Sequence, residues 1–284
     1  MPSRGTVAAV LLFWLGSTGV LIYREIGPRL RAGAAPPYHI ELTDEVGSPQ
    51  ADWEVFHKDH VIGRGFSQVK RLPDGAFVLD QKFRFDDFEL PLGLLLRKFD
   101  SAYRVTPEGN LLAIYVRGQV GLPGERRSEF DAEMSAEVKD GKLTPQVTVS
   151  GHAVPMLGGG AVDVSEHGSI LNPMHLVHRL PRLREGQHWK VPLLDPLKMF
   201  AANDVLGKVL PGSALPYLEA EVGTAPFEWD GRETPCYHVV YREPGRRIVA
   251  ATWVRRVDGL VLAQEAHNDG YDFLIRRLPP RSLD

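Results

Sequence analysis

Cysteine is almost missing from this chain: Cys236 is the one cysteine in 284 residues. An internal disulfide is therefore excluded. Because Cys236 sits in the alternating run "TPCYHVVY", it reads as a small apolar core residue rather than a nucleophile. No cysteine follows the N-terminal apolar run, so there is no lipid-attachment box. A surplus of positive charge is also lacking, with 33 Lys and Arg against 36 Asp and Glu and a net charge of −3, and this removes nucleic acid as a partner. Catalytic signatures are absent too. There is no G-x-S-x-G elbow, no H-E-x-x-H, and no glycine loop ending in the Lys-Ser/Thr of a phosphate-binding P-loop.

What is present is enough apolar material for a sizeable core, 43% of residues, and an N-terminal run "TVAAVLLFWLGSTGVLIY" without a charge. That run, residues 6–23, has about the length needed to cross a bilayer as a helix, and Tyr23 suits the interface. It is longer than a signal-peptide core, and the small residues Ala32 and Ala34 lie beyond Arg24, Arg29 and Arg31, so an uncleaved anchor is expected. Residues 1–5 form a short tail, 24–37 a Pro/Gly/Ala spacer at the membrane, and 38–284 one β-rich domain. A literal count of flanking arginines places that domain in the cytoplasm. Long domains translocate largely regardless of flanking charge, and the expected setting is extracytoplasmic, on a single-pass protein of the cell membrane.

Within the body the recurring signal is Asp-Gly, at 74–75, 140–141, 230–231, 258–259 and 269–270. This dipeptide supplies the positive φ angles of tight hairpins, and alternating apolar runs flank each pair. The expected fold class is mainly β (α+β): an N-terminal transmembrane helix, then a curved antiparallel sheet or half-barrel with a few short helices packed on it. One helix is expected over "DPLKMFAANDVLGKVLPG", capped by Asp195 with Pro196 at its first position. A second is expected after Asn172-Pro173, ended by Pro181. The run "LPLGLLLRKF", from Leu90 to Phe99, suits either a buried helix or a strand.

The second helix carries the main chemical candidates. Wound at 100° per residue, it puts Leu176, Val177 and Leu180 on one side and His175, His178 and Arg179 on the other. His175 and His178 have the spacing to share a metal, but no third ligand falls at a recognisable spacing, and Arg179 beside them repels a cation. A solvated helix face is the simpler reading, and no cofactor is expected. "SEHGS" reads as a turn. "FDDFE" offers three carboxylates without a calcium-loop spacing and also reads as a solvated turn. The remaining signal is apolar. Phe83, Phe85, Leu94 and Leu96 belong to a dense stretch that either fills a core or lines a cavity for acyl chains, and these four are the candidate ligand-binding residues.

The segments "WEVFHKDHVIGRGFSQVKRLPDG", "LPRLREGQHWKVPLLDPL" and "TWVRRVDGLVLAQE" resemble uncharacterised membrane-anchored proteins of planctomycete-type bacteria and, more distantly, β-rich envelope domains of the LolA/LolB-like kind. The resemblance implies an antiparallel half-barrel with helices in its concavity, and a lipid or lipoprotein ligand. It implies no catalytic residue. The expected function is therefore non-enzymatic: a membrane-anchored envelope protein that binds a hydrophobic ligand or a protein partner. The alternatives are a metal-dependent hydrolase using His175 and His178, and a purely structural subunit of an envelope complex.

Overall fold

The computed structural model describes residues 50–90, 94–122, 125–154, 162–163, 176–192, 217–245, 247–268 and 271–280. These form fifteen strands: β1 Ala51–His57, β2 His60–Arg71, β3 Phe77–Leu90, β4 Leu94–Val105, β5 Leu111–Leu122, β6 Glu125–Lys139, β7 Lys142–Val149, β8 His152–Val154, β9 Val162–Asp163, β10 His188–Pro192, β11 Tyr217–Trp229, β12 Arg232–Arg242, β13 Ile248–Arg255, β14 Val261–Asn268 and β15 Tyr271–Arg277. They make one antiparallel sheet in the order β10-β11-β12-β13-β14-β15-β1-β2-β3-β4-β5-β6-β7-β8, with β9 beside β7. Every neighbour on this path follows in sequence except β15 and β1, which join the two halves.

Turn chemistry explains the meander. Asp140 and Gly141 have φ of 52° and 71°, and Asp230 and Gly231 have 53° and 67°, the two positive angles of a two-residue hairpin whose twist matches its strands. Ser150 and Gly151 do the same between β7 and β8, at 50° and 78°. The Asp258 carboxylate accepts from Arg255 and from the Leu260 amide, bracing the turn from β13 to β14. Strand alternation then sorts the residues into an apolar inner face and an outer one that is mostly charged over β2–β6 and carries the rings of Phe227, His238 and Trp253 over β11–β13.

No helix occurs among the described residues, so the expected α+β class is corrected to all-β, and none is long and apolar enough to cross a membrane. The expected helix at 195–212, the run 6–23 and the spacer 24–37 lie outside the described residues. The expected helix reaching Leu180 is overturned over 176–180, where burial alternates: Leu176, His178 and Leu180 face inward, while Val177 and Arg179 lie only partly buried. That period is two. The backbone is taken by the sheet, with the Leu180 amide donating to the Gly259 carbonyl at 2.8 Å and the Val261 amide donating to the His178 carbonyl at 2.9 Å. Gly259 permits the approach, because a Cβ there would lie 2.9 Å from the Leu180 oxygen. The undecided run at 90–99 is resolved as the end of β3 and the start of β4.

Residues 176–187 thus form a strap across the inner face. It starts at β3, where the Leu176 amide donates to Gln81 Oε1, and reaches β11, where the Gly186 amide donates to the Val222 carbonyl. Those strands are seven steps apart on the path, about 34 Å in a flat sheet. Ten fully extended residues span about 35 Å at most, and this segment turns at Arg182 and Gly186, both with positive φ. The sheet is therefore curved around the strap. Leu176, Leu180 and Leu183 fill the concavity with Trp53, Val55, Val222, Val254 and Ile275.

Close packing of β2 on β3 needs glycine. A Cβ on Gly65 would sit 2.3 Å from the Lys82 backbone oxygen, whereas one on Gly223 would meet nothing nearer than 3.8 Å. Gly65→Ala is expected to destabilise the fold by about 1–3 kcal/mol, and Gly223→Ala by much less, as measured by urea unfolding.

Candidate functional site

Along β3 the inward residues are Phe77, Leu79, Gln81, Phe83 and Phe85, with Gly65 opposite Phe83 and Gly63 opposite Phe85 on β2. These glycines let the rings lie over β2: a Cβ would come within 2.4 Å of the Phe83 ring and 2.8 Å of the Phe85 ring. The register then shifts between Arg84 and Phe88, which turns Phe88 inward against Leu96. "FDDFE" is thus part of a bulged strand rather than the expected turn.

Around Phe88 gathers an aromatic cluster. Its ring lies 4.9 Å from that of Phe273 and 6.1 Å from that of Phe85, which in turn stacks 6.1 Å from Phe83. His57 sits 6.2 Å from Phe88, and its Nδ1 donates to the Asp272 carbonyl at 3.0 Å. All four predicted residues share this face. Phe83 and Leu96 are buried, while Phe85 and Leu94 are half-buried beside them. Phe99, Phe130, Ile62 and Phe273 are half-buried in the same cluster. Sequence reasoning missed His57, Phe130 and Phe273 as partners. Alternation within "YDFLIRR" places Phe273 on a face, but nothing local tells which strand it will meet.

The histidines separate. His175 lies outside the described residues, and His188 is exposed on β10. His178 is 2% exposed, with Nε2 2.8 Å from Ser67 Oγ, which also accepts from Trp53 Nε1 at 2.8 Å. Burial, together with the charges of Arg277 and Arg179, holds the imidazole neutral, down to about 4. A Ser-His pair at this distance invites comparison with an activated nucleophile. Ser67 is itself only 2% exposed, however, and the charges around the imidazole are guanidiniums, which oppose the imidazolium that a general base must become. The arrangement pins the strap to β1 and β2. Among the described residues no three His, Cys, Asp or Glu side chains are placed to hold a metal. Cys236 is buried, and its thiol is pushed up to about 11 by that burial, which suits a packing role.

No protein-family model matches the chain, and no curated protein does. Among solved structures, the crystal structure of a β-barrel-like protein of domain of unknown function DUF1849 from Brucella abortus aligns with it. The alignment has 10% identity and a TM-score of 0.45, covering 81% of this chain and 94% of that one.

Proposed function

We propose that the chain is a non-enzymatic binding protein that holds a hydrophobic ligand, of the acyl-chain kind, against the aromatic end of its inner face. The observation that carries this reading is the half-buried set Phe85, Phe99, Phe130, Phe273, Leu94 and Ile62 around the buried Phe88. Large apolar side chains that their own fold leaves partly wetted form a surface an apolar ligand can complete. The strap occupies the middle of the concavity, so the ligand sits at this end rather than along the whole face. The LolA/LolB-like resemblance supports the same chemistry. An extracytoplasmic setting at a cell membrane rests on the uncharged run 6–23 alone and is tested by fractionation.

The test is protection of a solvatochromic lipophilic dye. The protein is expected to shift the dye's emission to the blue. Phe85→Ala is expected to weaken binding about tenfold, since burying a phenylalanine contributes about 1.5–3 kcal/mol. Tyr115→Ala, on the exposed outer face of β5, should leave it unchanged. Equal dye affinity in the wild type and Phe85→Ala would sink the proposal.

A further inference from the structure

The outer face carries a feature that the aromatic cluster does not explain. Arg64 on β2 is directly opposite Arg84 on β3, and Arg84 is directly opposite Lys98 on β4. Directly opposed Cβ atoms are about 4.5–5.5 Å apart, and like charges so placed repel. Other pairs on this face are complementary: Arg117 is opposite Glu133 and contacts it at 3.4 Å, and Arg276 is opposite Glu54, while the like pair Lys139 and Lys142 flanks a hairpin turn at the end of its strands. In the next row Lys82 adds a further cation. The chain as a whole is negative, at −3, so this row is a local concentration rather than a general trend.

The same residues line a groove of about 550 Å³, with five cations against the carboxylates of Asp100 and Asp131. Two of the cations already have partners. Arg64 contacts Glu54 at 3.0 Å, and Arg117 contacts Asp131 at 2.8 Å. Lys82, Arg84 and Lys98 make no ion pair or side-chain hydrogen bond among the described residues, and all three are exposed. Asp100 faces Lys82 across the strands without an ion pair, and with Asp131 it offsets only part of the charge of the five cations.

We propose that this groove binds a phosphate group, with the Arg84 guanidinium forking its oxygens and Lys82 and Lys98 supplying charge on either side. A planar guanidinium matches phosphate geometry in a bidentate way, and ammonium groups add point charges. A bound dianion turns the repulsion along the row into attraction. The shared chemistry is a phosphate monoester or diester, whether on a soluble molecule or on a lipid headgroup. Because the groove and the aromatic cluster lie on opposite faces, either proposal can fail without the other.

The test uses the full chain and an Arg84→Gln/Lys98→Gln double variant. Inorganic phosphate and pyrophosphate are titrated at constant ionic strength, with chloride making up the balance. Expected are saturable stabilisation of the wild type, and binding roughly tenfold or more weaker in the double variant, the loss of a charge-assisted hydrogen bond. Without phosphate the double variant is expected to unfold no earlier than the wild type, because the like-charge contacts are gone. Phosphate acting no differently from chloride, or equally on both proteins, overturns the proposal. Vesicles of phosphatidylcholine with and without phosphatidic acid separate the sources. Headgroup-dependent binding lost in the double variant assigns the phosphate to a lipid, and binding of free phosphate with no such dependence assigns it to a soluble ester.

Discussion

Trp53→Ala is expected to lower the free energy of unfolding by about 3–5 kcal/mol, the range for removing a fully buried aromatic side chain. Trp53 is 0% exposed and lies on β1, the strand where the two halves of the sheet meet. Its ring packs beneath the Arg277 guanidinium, 5.6 Å away, and its Nε1 donates to Ser67, which in turn holds His178. One truncation therefore opens a cavity in the inner core and releases the pin on the strap. Trp53→Phe keeps most of the apolar contact but loses the donor, and about 1–2 kcal/mol is expected for it. Urea denaturation reads both. A loss below about 1 kcal/mol for Trp53→Ala would mean that the β1 junction does not carry the fold.

Acid is expected to weaken the protein through His178. The imidazole has an ordinary value of 6.5 in the unfolded chain and is held down to about 4 in the fold. Between those values the unfolded state binds the proton and the folded state does not, so stability falls as pH falls. The contribution is fully present above pH 6.5 and is lost progressively towards pH 4, on the order of 3 kcal/mol in all. His238, lowered chiefly by burial, acts in the same direction. His178→Gln keeps a polar group near Ser67 but cannot titrate, and is expected to flatten most of the slope between pH 6.5 and 4. A slope unchanged in that variant would assign the acid sensitivity to other groups.

Much of the fold was legible because its rules are local. Asp140-Gly141 and Asp230-Gly231 form hairpins wherever alternating strands flank them, since the required φ angles belong to the dipeptide itself. The alternation Phe77, Leu79, Phe83, Phe85 likewise placed two of the candidate residues, Phe83 and Phe85, on one face without reference to any partner. The reading failed at "LVHRL". Proline at 173 and 181 bracketed a plausible short helix, yet the pattern Leu176, His178, Leu180 also has the period of a strand. With only five residues the two periods cannot be told apart, and the donors and acceptors around Gly259 and Val261 decided between them. The same packing turned His178 from a solvated residue into a buried one.

The sequence by itself determined an antiparallel β body, the positions of its tight turns, and the shared face of Phe83 and Phe85, because turn angles and side-chain alternation depend on neighbours a few residues away, whereas the strand that places Leu94 and Leu96 beside them was decided by the fold. Only the tertiary structure decided that β15 lies beside β1. That pairing brings His57 and Asp272, 215 residues apart, into hydrogen-bond contact and sets Phe273 against Phe88. It also decided that a strap fills the concavity and that Arg64, Arg84 and Lys98 stand in one row. These depend on strand register and on closure of a long loop, whose entropic cost is recovered only when the whole apolar face is buried at once.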